Sequence, residues 1–554
     1  MIQPRLTWTL VIAACALPAI PIQAVDVSVP ASPPNDATVV KGNFLGVSFE
    51  LSAFDKYFGS NPSGVTTQTV NYLTSYNRLL SGLPLKIRIG GRSSENFTYV
   101  EAFGSEGEPK PSDGKGMYGP TVVNVLQSLS KKLGVSYLLN LSLKDPSGQG
   151  LTKFATTSKS VIQTIEGYTL GSGPDLYNSE GIRPSSSNYT VDNYATDYNT
   201  AFGGLKQLAS GDLTASSNPL IAGPTISTWD LATVLQGNWF NSFKGALKYI
   251  TLERPAPDVC IAVVGPIFNA SHPNAVREGQ WQQHGLSIAK GTGKPIILSQ
   301  YSLGASDCNG NVTSTFTGTL WTVDYSLQLA SVGYSAVYLH TMERGTPFNL
   351  FDYPEEGSSF TTRPVHYAYY PVLLALQSYN GSKVVDLNVD GATNGAYAVY
   401  DSKTSDLYRV VLINYAGSGT TFTLPKSVGG SNVTVGYLTA PSPQETSNIM
   451  WAGQTWQSSQ DGLPTGKREY QSLACATGCD VEVPGPGAAV VMFNKHLAAS
   501  EPNGGGSTGT DFTNPGNGTG NGGGSHNSSS KTAHVVFGDF YLVLFALISL
   551  VVLY

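Results

Sequence analysis

The chain has 554 residues, of which 41% are hydrophobic and only 13% charged, and its formal net charge at pH 7 is -6. This length is too great for one hydrophobic core and predicts a large domain with a smaller one beside it. Lys and Arg are scattered without a basic run, which excludes a nucleic-acid partner. There is no Gly-rich phosphate loop and no Cys/His zinc spacing, so we expect no metal and no organic cofactor.

Residues 1–24 have the pattern of a secretory signal peptide. Arg5 precedes the apolar run LTWTLVIAACALPAI, and the segment IQA ends at Ala24, where cleavage is expected. The run is short for a membrane span, and a permanent N-terminal anchor is the alternative. Residues 25–43, which contain VDVSVP, are expected to add one strand to the C-terminal domain.

Eight short apolar runs alternate with amphipathic segments over residues 44–376. The runs are FLGVSFEL, LKIRIGG, VSYLLNLSL, GYTLGSG, NPLIAGPTI, DVCIAVVGP, KPIILSQYS and YSAVYLHT. Continuous apolar runs are typical of parallel strands buried on both faces. Helical periodicity in STFTGTLWTVDYSLQLASVG places on one face Phe316, Leu320, Val323, Leu327 and Ala330. The alternation predicts an α/β fold, a (β/α)8 TIM barrel.

Residues 377–495 have a different pattern, with short alternating runs separated by turn residues. These runs are GAYAVYD, DLYRVVLINY, TTFTLP, NVTVGYLT and GAAVVMFN. Alternation with a period of two predicts strands with one buried face, and their number predicts a C-terminal antiparallel β-sandwich.

The last 59 residues have the composition of a stalk and an anchor signal. Residues 496–533 are rich in Gly, Ser and Asn and contain too little apolar surface to fold. Residues 534–554 include the apolar run FYLVLFALISLVVLY, which no basic residue follows. This order predicts a GPI anchor that attaches the chain to the outer membrane leaflet at the cell surface. A short tail-anchored helix is the alternative.

The cysteines and sequons fit an extracellular protein. Cys475 and Cys479 are close enough to close a small loop, and Cys260 with Cys308 is the other possible disulfide. The N-glycosylation sites that we expect to be used are Asn96, Asn188, Asn269, Asn311, Asn380 and Asn432. A sequon at Asn140 lies inside a predicted strand, and we expect that site to stay unmodified.

In a TIM barrel the chemistry lies at the C-terminal ends of the strands. In chain order these ends are Glu50, Gly90-Gly91-Arg92, Ser142, Ser172-Gly173, Pro224, Gly265, Gln300-Tyr301 and His340. Retaining hydrolysis of a glycoside requires two carboxylic acids about 5 Å apart, one as nucleophile and one as acid/base. Many such barrels carry them on strands four and seven, where this chain offers only Ser172-Gly173 and Gln300.

The chain resembles glycoside hydrolase family 79, the β-glucuronidase and heparanase-like family. The resemblance rests on FLGVSFEL, LKIRIGGRSSE, GSGPDLY, the block from KPIILSQYS to FTGTLWTVDYSLQLASVG, and the C-terminal runs GAYAVYD, LYRVVLINY and VPGPGAAVVMFN. It implies a barrel with an accompanying β domain and a glycan partner that contains uronic acid. It also implies that the family's acid/base position, the Glu of Gly-Asn-Glu-Pro-Asp, falls on Gly173. The family's nucleophile position falls on Gln300.

These substitutions predict a catalytically impaired homologue. Glycine has no side chain to donate a proton, and general acid catalysis alone is typically worth ~10²–10⁴ in rate. An amide is a poor nucleophile, so Gln300 could not form the covalent intermediate. The protein would then bind or scaffold a cell-wall or matrix glycan, with Glu50, Tyr301 and His340 as candidate contacts. The alternative is an active retaining hydrolase or transglycosylase that uses other carboxylates, such as Glu50 and Glu343.

Overall fold

The computed structural model describes residues 23–103, 107–186, 188–254, 271–303, 312–356, 358–428 and 432–493. Residues 1–22 of the predicted signal peptide, the predicted stalk and the predicted anchor signal lie outside these ranges. Within them, no helix combines the length and the apolar character needed to cross a bilayer.

The first domain is a closed barrel of eight parallel strands, which confirms the predicted fold class. The strands are Leu45–Glu50, Lys86–Gly90, Ser136–Leu141, Ile165–Leu170, Ile221–Ile226, Leu247–Arg254, Ile296–Tyr301 and Ala336–Thr341. They are hydrogen-bonded in chain order, and strand eight closes the barrel against strand one. The C-terminal ends of all eight strands therefore meet at one end, which we call the mouth.

Helices follow each strand and cover the barrel. Their bounds are Thr67–Asn77, Pro120–Leu133, Gln149–Val161, Val191–Leu205, Leu231–Gln236, Asn238–Phe243, His272–Gly279, Gln283–Gly291, Phe316–Val332 and Tyr369–Leu376. Local sequence sets their ends. In the second helix Pro120 stands in the first turn, where a backbone N–H has no helical partner. Gly134 ends that helix with a φ of 66°, a conformation that glycine adopts without strain.

The sixth barrel strand differs from the prediction. It is Leu247–Arg254, with the sequence LKYITLER, and it precedes the predicted run DVCIAVVGP. That run and its strand end Gly265 lie within residues 255–270, outside the described part of the chain. The charged residues of LKYITLER hid the strand from a search for apolar runs. They are accommodated at the two ends of the barrel, where Lys248 bonds the carbonyl of Glu166 and Glu253 pairs with Arg88.

The C-terminal domain has two sheets packed around their own apolar core. The larger sheet contains Ser382–Asp386, Asn394–Asp401, Leu407–Asn414, Gly487–Phe493, Asn432–Thr439, Met450–Trp451 and Gln471–Ala474. The smaller sheet contains Thr420–Leu424 and Cys479–Val483, which pair antiparallel. The N-terminal strand Gln23–Asp26 adds to this sheet, parallel to Thr420–Leu424. The two sheets confirm the β-sandwich, and its first strand comes from the other end of the chain.

The helix Phe316–Val332 lies between the two domains. Sequence periodicity predicts one buried face, but the structure buries almost every residue of this helix. Its inner side packs on the barrel and its outer side on the sandwich strand Ser382–Asp386. This double burial explains why polar residues of the helix, such as Asp324, need partners from the second domain.

A buried ion-pair cluster joins the domains at Asp324. His272 bonds Asp324 Oδ1 through Nδ1 at 3.0 Å and Asp386 Oδ1 through Nε2 at 3.2 Å. The hydroxyls of Tyr397 and Tyr415 donate to the Asp324 carboxylate at 2.5 and 2.9 Å. Burial alone would lower the pKa of His272, but the hydrogen bonds and charges of the two aspartates raise it to about 10. The imidazolium therefore bridges a barrel helix and a sandwich strand at neutral pH.

We expect His272→Gln to remove an alkaline pH dependence of stability. A histidine whose folded pKa is raised from 6.5 to about 10 contributes stability that is complete below pH 6.5 and is lost as pH rises through about 10. The loss should be on the order of a few kcal/mol in the free energy of unfolding, measured by denaturant titration between pH 6 and pH 10. His284→Gln, at an exposed histidine, is the matched control. Parallel pH profiles for His272→Gln and the native chain would contradict the bridge.

Candidate functional site

One buried guanidinium joins four strand ends at the mouth. Arg88 on strand two has no exposed surface. Its Nη2 lies 2.5 Å from Glu253 Oε1 on strand six, and its Nη1 donates to Gln300 Oε1 on strand seven at 2.6 Å. Ser172, which follows strand four, donates to Glu253 Oε2 at 2.8 Å. Gln300 and Ser172, two residues that the sequence analysis identified, therefore both contact the Arg88–Glu253 ion pair.

Glu253 is the mouth carboxylate that the sequence analysis missed, because strand six was placed too late in the chain. It is 3% exposed. Burial raises its pKa to about 7, although the charge of Arg88 and the hydrogen bond from Ser172 act in the opposite direction. The short connection from the helix Asn238–Phe243 to the segment LKYITLER was the signal that could have located it, since αβ loops in such folds have 2–6 residues.

Gly173, which the sequence analysis assigned to the family's acid/base position, has a left-handed backbone. Gly173 has a φ of 51° and a ψ of 56°. A Cβ added there would lie 3.3 Å from Ser227 Oγ and 3.8 Å from Glu253 Oε2. A side chain therefore has room, at the cost of a strained backbone, and it would point into the neighbourhood of the Glu253 carboxyl.

Gln300, which the sequence analysis assigned to the family's nucleophile position, is a partly exposed amide. The carbonyl oxygen of Gln300 accepts from Arg88, as described above. Among the described residues its amide nitrogen has no recorded partner. Gln300 therefore presents a hydrogen-bond donor rather than a negative charge at the end of strand seven.

A second polar chain connects strands one and eight to Arg88. Glu50 accepts from the backbone N–H of Ser93 at 2.6 Å and bonds His340 Nε2 at 2.8 Å. His340 Nδ1 bonds Ser48 Oγ at 2.8 Å, and Ser48 Oγ lies 3.3 Å from Arg88 Nη1. Burial would raise the pKa of Glu50, but the hydrogen bond and charge of His340 and the bonds from Ser93 lower it overall. The serine, histidine and glutamate are all buried, so they form a positioning network rather than an accessible nucleophile.

A glycine makes room for the Glu50 carboxylate. Gly91 has a φ of 83°, and a Cβ on it would fall 2.1 Å from Glu50 Oε2. No other residue fits this position without displacing Glu50. The Gly90-Gly91 pair of LKIRIGG is therefore required by close packing at the strand end.

The structure buries the three predicted substrate contacts, whose role in binding stays a prediction. Glu50 is 2% exposed, and His340 and Tyr301 are fully buried. Both ring nitrogens of His340 are engaged by Ser48 and Glu50. The Tyr301 hydroxyl bonds Ser326 Oγ at 2.8 Å on the helix Phe316–Val332, so its side chain lies outside the strand ring. Gln300 Oε1 reaches Arg88 inside the barrel, whereas the Tyr301 side chain reaches the helix outside it, at a point where the register of strand seven shifts against both neighbouring strands.

Glu50 and Glu343, the fallback catalytic pair, are not in contact. Glu343 is exposed after strand eight and accepts a hydrogen bond from Ser52 Oγ. The Ser52 backbone N–H donates to Ser93 Oγ at 3.0 Å, and Ser93 bonds Glu50. Two serines therefore separate the carboxylates. Glu50 is also hydrogen-bonded to His340. The catalytic use of Glu50 and Glu343 stays a prediction.

An ion pair that sequence analysis missed lies at the rim of the mouth. Arg92 Nε is 3.1 Å from Glu180 Oε1, and their side chains are 60% and 11% exposed. Burial raises the pKa of Glu180 to about 7, and the charge of Arg92 only partly offsets it. Glu180 lies in an irregular segment after strand four, so no periodic pattern marks it in the sequence.

The structure contains the Cys475–Cys479 disulfide, whereas Cys260 and Cys308 lie outside the described residues. The sequon asparagines Asn96, Asn188, Asn380 and Asn432 are exposed, and Asn269 and Asn311 are outside the described ranges. Asn140 is 4% exposed and donates to Ser94 and Glu95, which agrees with the expectation that it stays unmodified. In the described part of the chain no group of three or more His, Cys, Asp or Glu residues could hold a metal ion.

Comparison with known proteins confirms the family resemblance. Residues 396–490 match the model of the glycosyl hydrolase family 79 C-terminal beta domain. A β-glucuronidase of Aspergillus niger is 23% identical over 496 residues, a match that covers 78% of this chain and 86% of that enzyme. A β-glucuronidase of Neurospora crassa is 23% identical over 437 residues, covering 72% and 75%.

Solved structures agree on the fold. A 4-O-α-L-rhamnosyl-β-D-glucuronidase from Fusarium oxysporum superimposes with a TM-score of 0.67 at 19% identity, covering 84% of this chain and all of that one. A family 51 α-L-arabinofuranosidase from Bifidobacterium longum superimposes with a TM-score of 0.57 at 12% identity, covering 85% and 99%. At these identities the structures support the architecture alone, and the resemblance to family 79 rests on the sequence matches.

We expect Glu253→Gln to change the pH dependence of stability between pH 4.5 and pH 7. A carboxyl whose folded pKa is raised from 4.5 to about 7 contributes stability that is complete below pH 4.5 and is lost as pH rises through about 7. The native chain should therefore lose on the order of 3 kcal/mol across this window relative to the variant. Denaturant titrations at pH 4.5, 6 and 8 measure the difference. Glu166→Gln is the control that should leave the slope over this window unchanged, because Lys86 and Tyr249 lower the pKa of Glu166 despite its burial and its contribution is lost only below pH 4.5. Equal slopes for Glu253→Gln and the native chain would contradict the raised pKa.

Proposed function

The chain is a homologue of the glycoside hydrolase family 79 β-glucuronidases, and we propose that it is a cell-surface glycan-binding protein whose hydrolytic chemistry is impaired. The observation that carries this proposal is the arrangement around Arg88. The two positions that the family uses for acid/base and nucleophile hold Gly173 and Gln300. The carboxyl group beside them, Glu253, is bound by Arg88 and Ser172.

The chemistry of this arrangement argues against retaining hydrolysis. That reaction needs two carboxyls about 5 Å apart, one ionised to attack the anomeric carbon and one protonated to release the leaving group. Gln300 cannot attack as a carboxylate does, and its oxygen is already bonded to Arg88. Glu253 is almost fully buried, so it has little surface to offer a leaving-group oxygen. Ground-state binding of a sugar does not depend on either function, because catalysis rests on contacts specific to the transition state.

The proposed ligand is a cell-wall or matrix glycan that contains uronic acid. The relatives include β-glucuronidases and a rhamnosyl-glucuronidase, by their names. The exposed guanidinium of Arg92 at the mouth rim offers a cation for a uronate carboxylate. The Gln300 amide offers a neutral donor for a sugar hydroxyl. Together they favour a ligand with one negative charge near several hydroxyls.

The proposed location rests on the sequence. An N-terminal secretory pattern, sequons on exposed asparagines and a Gly-rich segment before an apolar C-terminal run support export and a GPI anchor. On that basis the barrel would be held away from the membrane by the stalk of residues 496–533, within reach of wall or matrix polymers.

We expect the native chain to be silent in hydrolysis of an aryl β-D-glucuronide and the double variant Gly173→Glu, Gln300→Glu to gain turnover. The double variant restores an acid on strand four and a carboxylate on strand seven. The positive φ at residue 173 should cost this variant roughly 1–2 kcal/mol of stability, so folding is checked by a thermal melt. Release of the aryl group measures activity.

Gly173→Gln, Gln300→Glu is the matched control, because it has the same bulk at residue 173 without an acid. It should remain silent. Turnover by the native chain would contradict the proposed impairment and would direct attention to Glu343→Gln as the next variant. Silence of a folded double variant would mean that the loss of activity extends beyond these two positions.

We expect binding of an oligoglucuronide to weaken in Arg92→Gln and to strengthen in the native chain as pH falls through about 7. Near that pH Glu180 becomes neutral, because burial and the neighbouring carboxylates of Glu95, Glu50 and Asp175 raise its pKa. Neutral Glu180 releases Arg92 for the ligand. Calorimetry at pH 5.5 and 8 should show roughly a fivefold loss in the variant at the lower pH, the factor that ~1 kcal/mol of exposed ion pairing gives.

Arg277→Gln is the control for the loss of one positive charge, since Arg277 is 61% exposed and also lies beside a glutamate, Glu278. It should bind as the native chain does. Equal weakening by both variants would indicate a long-range charge effect rather than a contact with Arg92.

A further inference from the structure

A groove of about 700 Å³ lies beside the mouth and is not part of the Arg88 network. It runs between the segment that follows strand two, the loop that follows strand three and the helix Gln149–Val161. Glu95 and Ser142, at the ends of strands two and three, line its inner end. We call it the rim groove. Its volume falls within the ~300–1,000 Å³ range of small-molecule sites.

The groove has the mixed lining of a carbohydrate site. Tyr99, Tyr118 and Phe154 pack against one another with ring centroids 5.3–5.5 Å apart and form the floor of the groove, each at most 5% exposed. Phe97 is the partly exposed ring, and the polar residues Lys144, Asp145, Gln149 and Lys153 line the groove around it. One exposed aromatic ring beside hydrogen-bonding groups matches a sugar, which presents C–H faces as well as hydroxyls.

A glycosylation asparagine stands on the wall of this groove. Asn96 lines it, is exposed, and begins the sequon Asn96-Phe97-Thr98. Its side-chain oxygen accepts from Lys144 Nζ at 3.3 Å. Its amide nitrogen, the atom to which an N-linked glycan is joined, has no recorded partner among the described residues. The attachment atom is therefore available at the edge of a sugar-sized groove in the same chain.

We propose that the N-linked glycan of Asn96 folds back into the rim groove and occupies it. The inner N-acetylglucosamine units would cover the partly exposed ring of Phe97, and their hydroxyl and amide groups would bond the surrounding polar side chains. The groove is then a docking site for a covalently attached part of the same molecule, which needs no loss of translational freedom to bind. This inference rests on the secretory route of the proposed function, since only an exported chain meets the glycosylation machinery.

The test compares glycan release site by site in the full chain secreted from a glycosylating host. Peptide mass spectrometry would first establish which sequons are occupied. The native protein would then be treated with an N-glycan-releasing amidase. The glycans of Asn188, Asn380 and Asn432, which are all exposed, serve as internal standards. We expect release at Asn96 to be at least about tenfold slower than at these sites, the factor that ~1.4 kcal/mol of groove contacts gives.

Two variant pairs separate groove contacts from general crowding. Thr98→Ala removes the sequon while keeping Asn96, and Thr98→Ser keeps the sequon. Only Thr98→Ala should lower the Tm.

Gln149→Trp fills the groove from the helix side and should bring release at Asn96 to the rate of the standards. Gln149→Ala leaves the groove open and should keep the protection.

The outcomes distinguish this inference from the secretory route. Occupied standards with an unmodified Asn96, or an Asn96 glycan released as fast as the standards, would overturn the groove assignment and leave the route intact. Absence of glycan at every sequon of a secreted chain would overturn the groove assignment on its own. Failure of the chain to enter the secretory pathway would overturn both. Slow release at Asn96 that persists in Gln149→Trp would overturn the groove assignment, because something other than the groove would then shield the glycan.

Discussion

The barrel depends on how it satisfies the buried guanidinium of Arg88. A charge with no exposed surface is tolerated only when an opposite charge and further acceptors surround it. Here Glu253, whose pKa burial raises to about 7, supplies the charge when it is ionised, while Gln300 and two serines supply further acceptors. These groups come from strands one, four, six and seven or their ends. Because Arg88 on strand two needs all of these partners, it fixes the positions of four other strand ends relative to strand two.

The same requirement explains how the mouth can hold Gly173 and Gln300 at its strand ends and still be well packed. A glutamate at residue 300 would itself neutralise Arg88. With glutamine there, the negative charge comes from Glu253 on strand six, and the amide oxygen keeps the contact that a carboxylate oxygen would have made. The charge of Arg88 is therefore balanced by Glu253 and not by residue 300. Stability and catalysis are separable at this site because the guanidinium needs a negative charge nearby, whereas chemistry needs that charge at a particular, accessible place.

The barrel and sandwich could be predicted from the sequence because most strands are continuous apolar runs or strict alternations, and periodicity reports both directly. Strand six could not be found in this way, since Lys248, Glu253 and Arg254 interrupt its apolar pattern and are stabilised only by partners distant in sequence. Gln300 and Gly173 were found because they follow recognisable strands. The burial of Tyr301 and His340 could not be anticipated, because it depends on the inward or outward facing of single residues. Glu180 has no local signal at all.

Titratable groups at the domain boundary and at the mouth make the stability of the fold depend on pH. His272 at the domain boundary and Glu253 at the mouth both have raised pKa values, so each contributes stability at low pH that is lost as pH rises. Glu50 and Glu166 act in the opposite sense, because their lowered pKa values give stability above pH 4.5 that is lost on acidification. Below about pH 4.5 the glutamate networks at both ends of the barrel weaken. Glu253 loses its contribution between pH 4.5 and about 7, and His272 loses its contribution between pH 6.5 and about 10. The summed contribution of these four groups is therefore largest in mildly acidic conditions, where a neutral Glu180 also leaves Arg92 free at the rim.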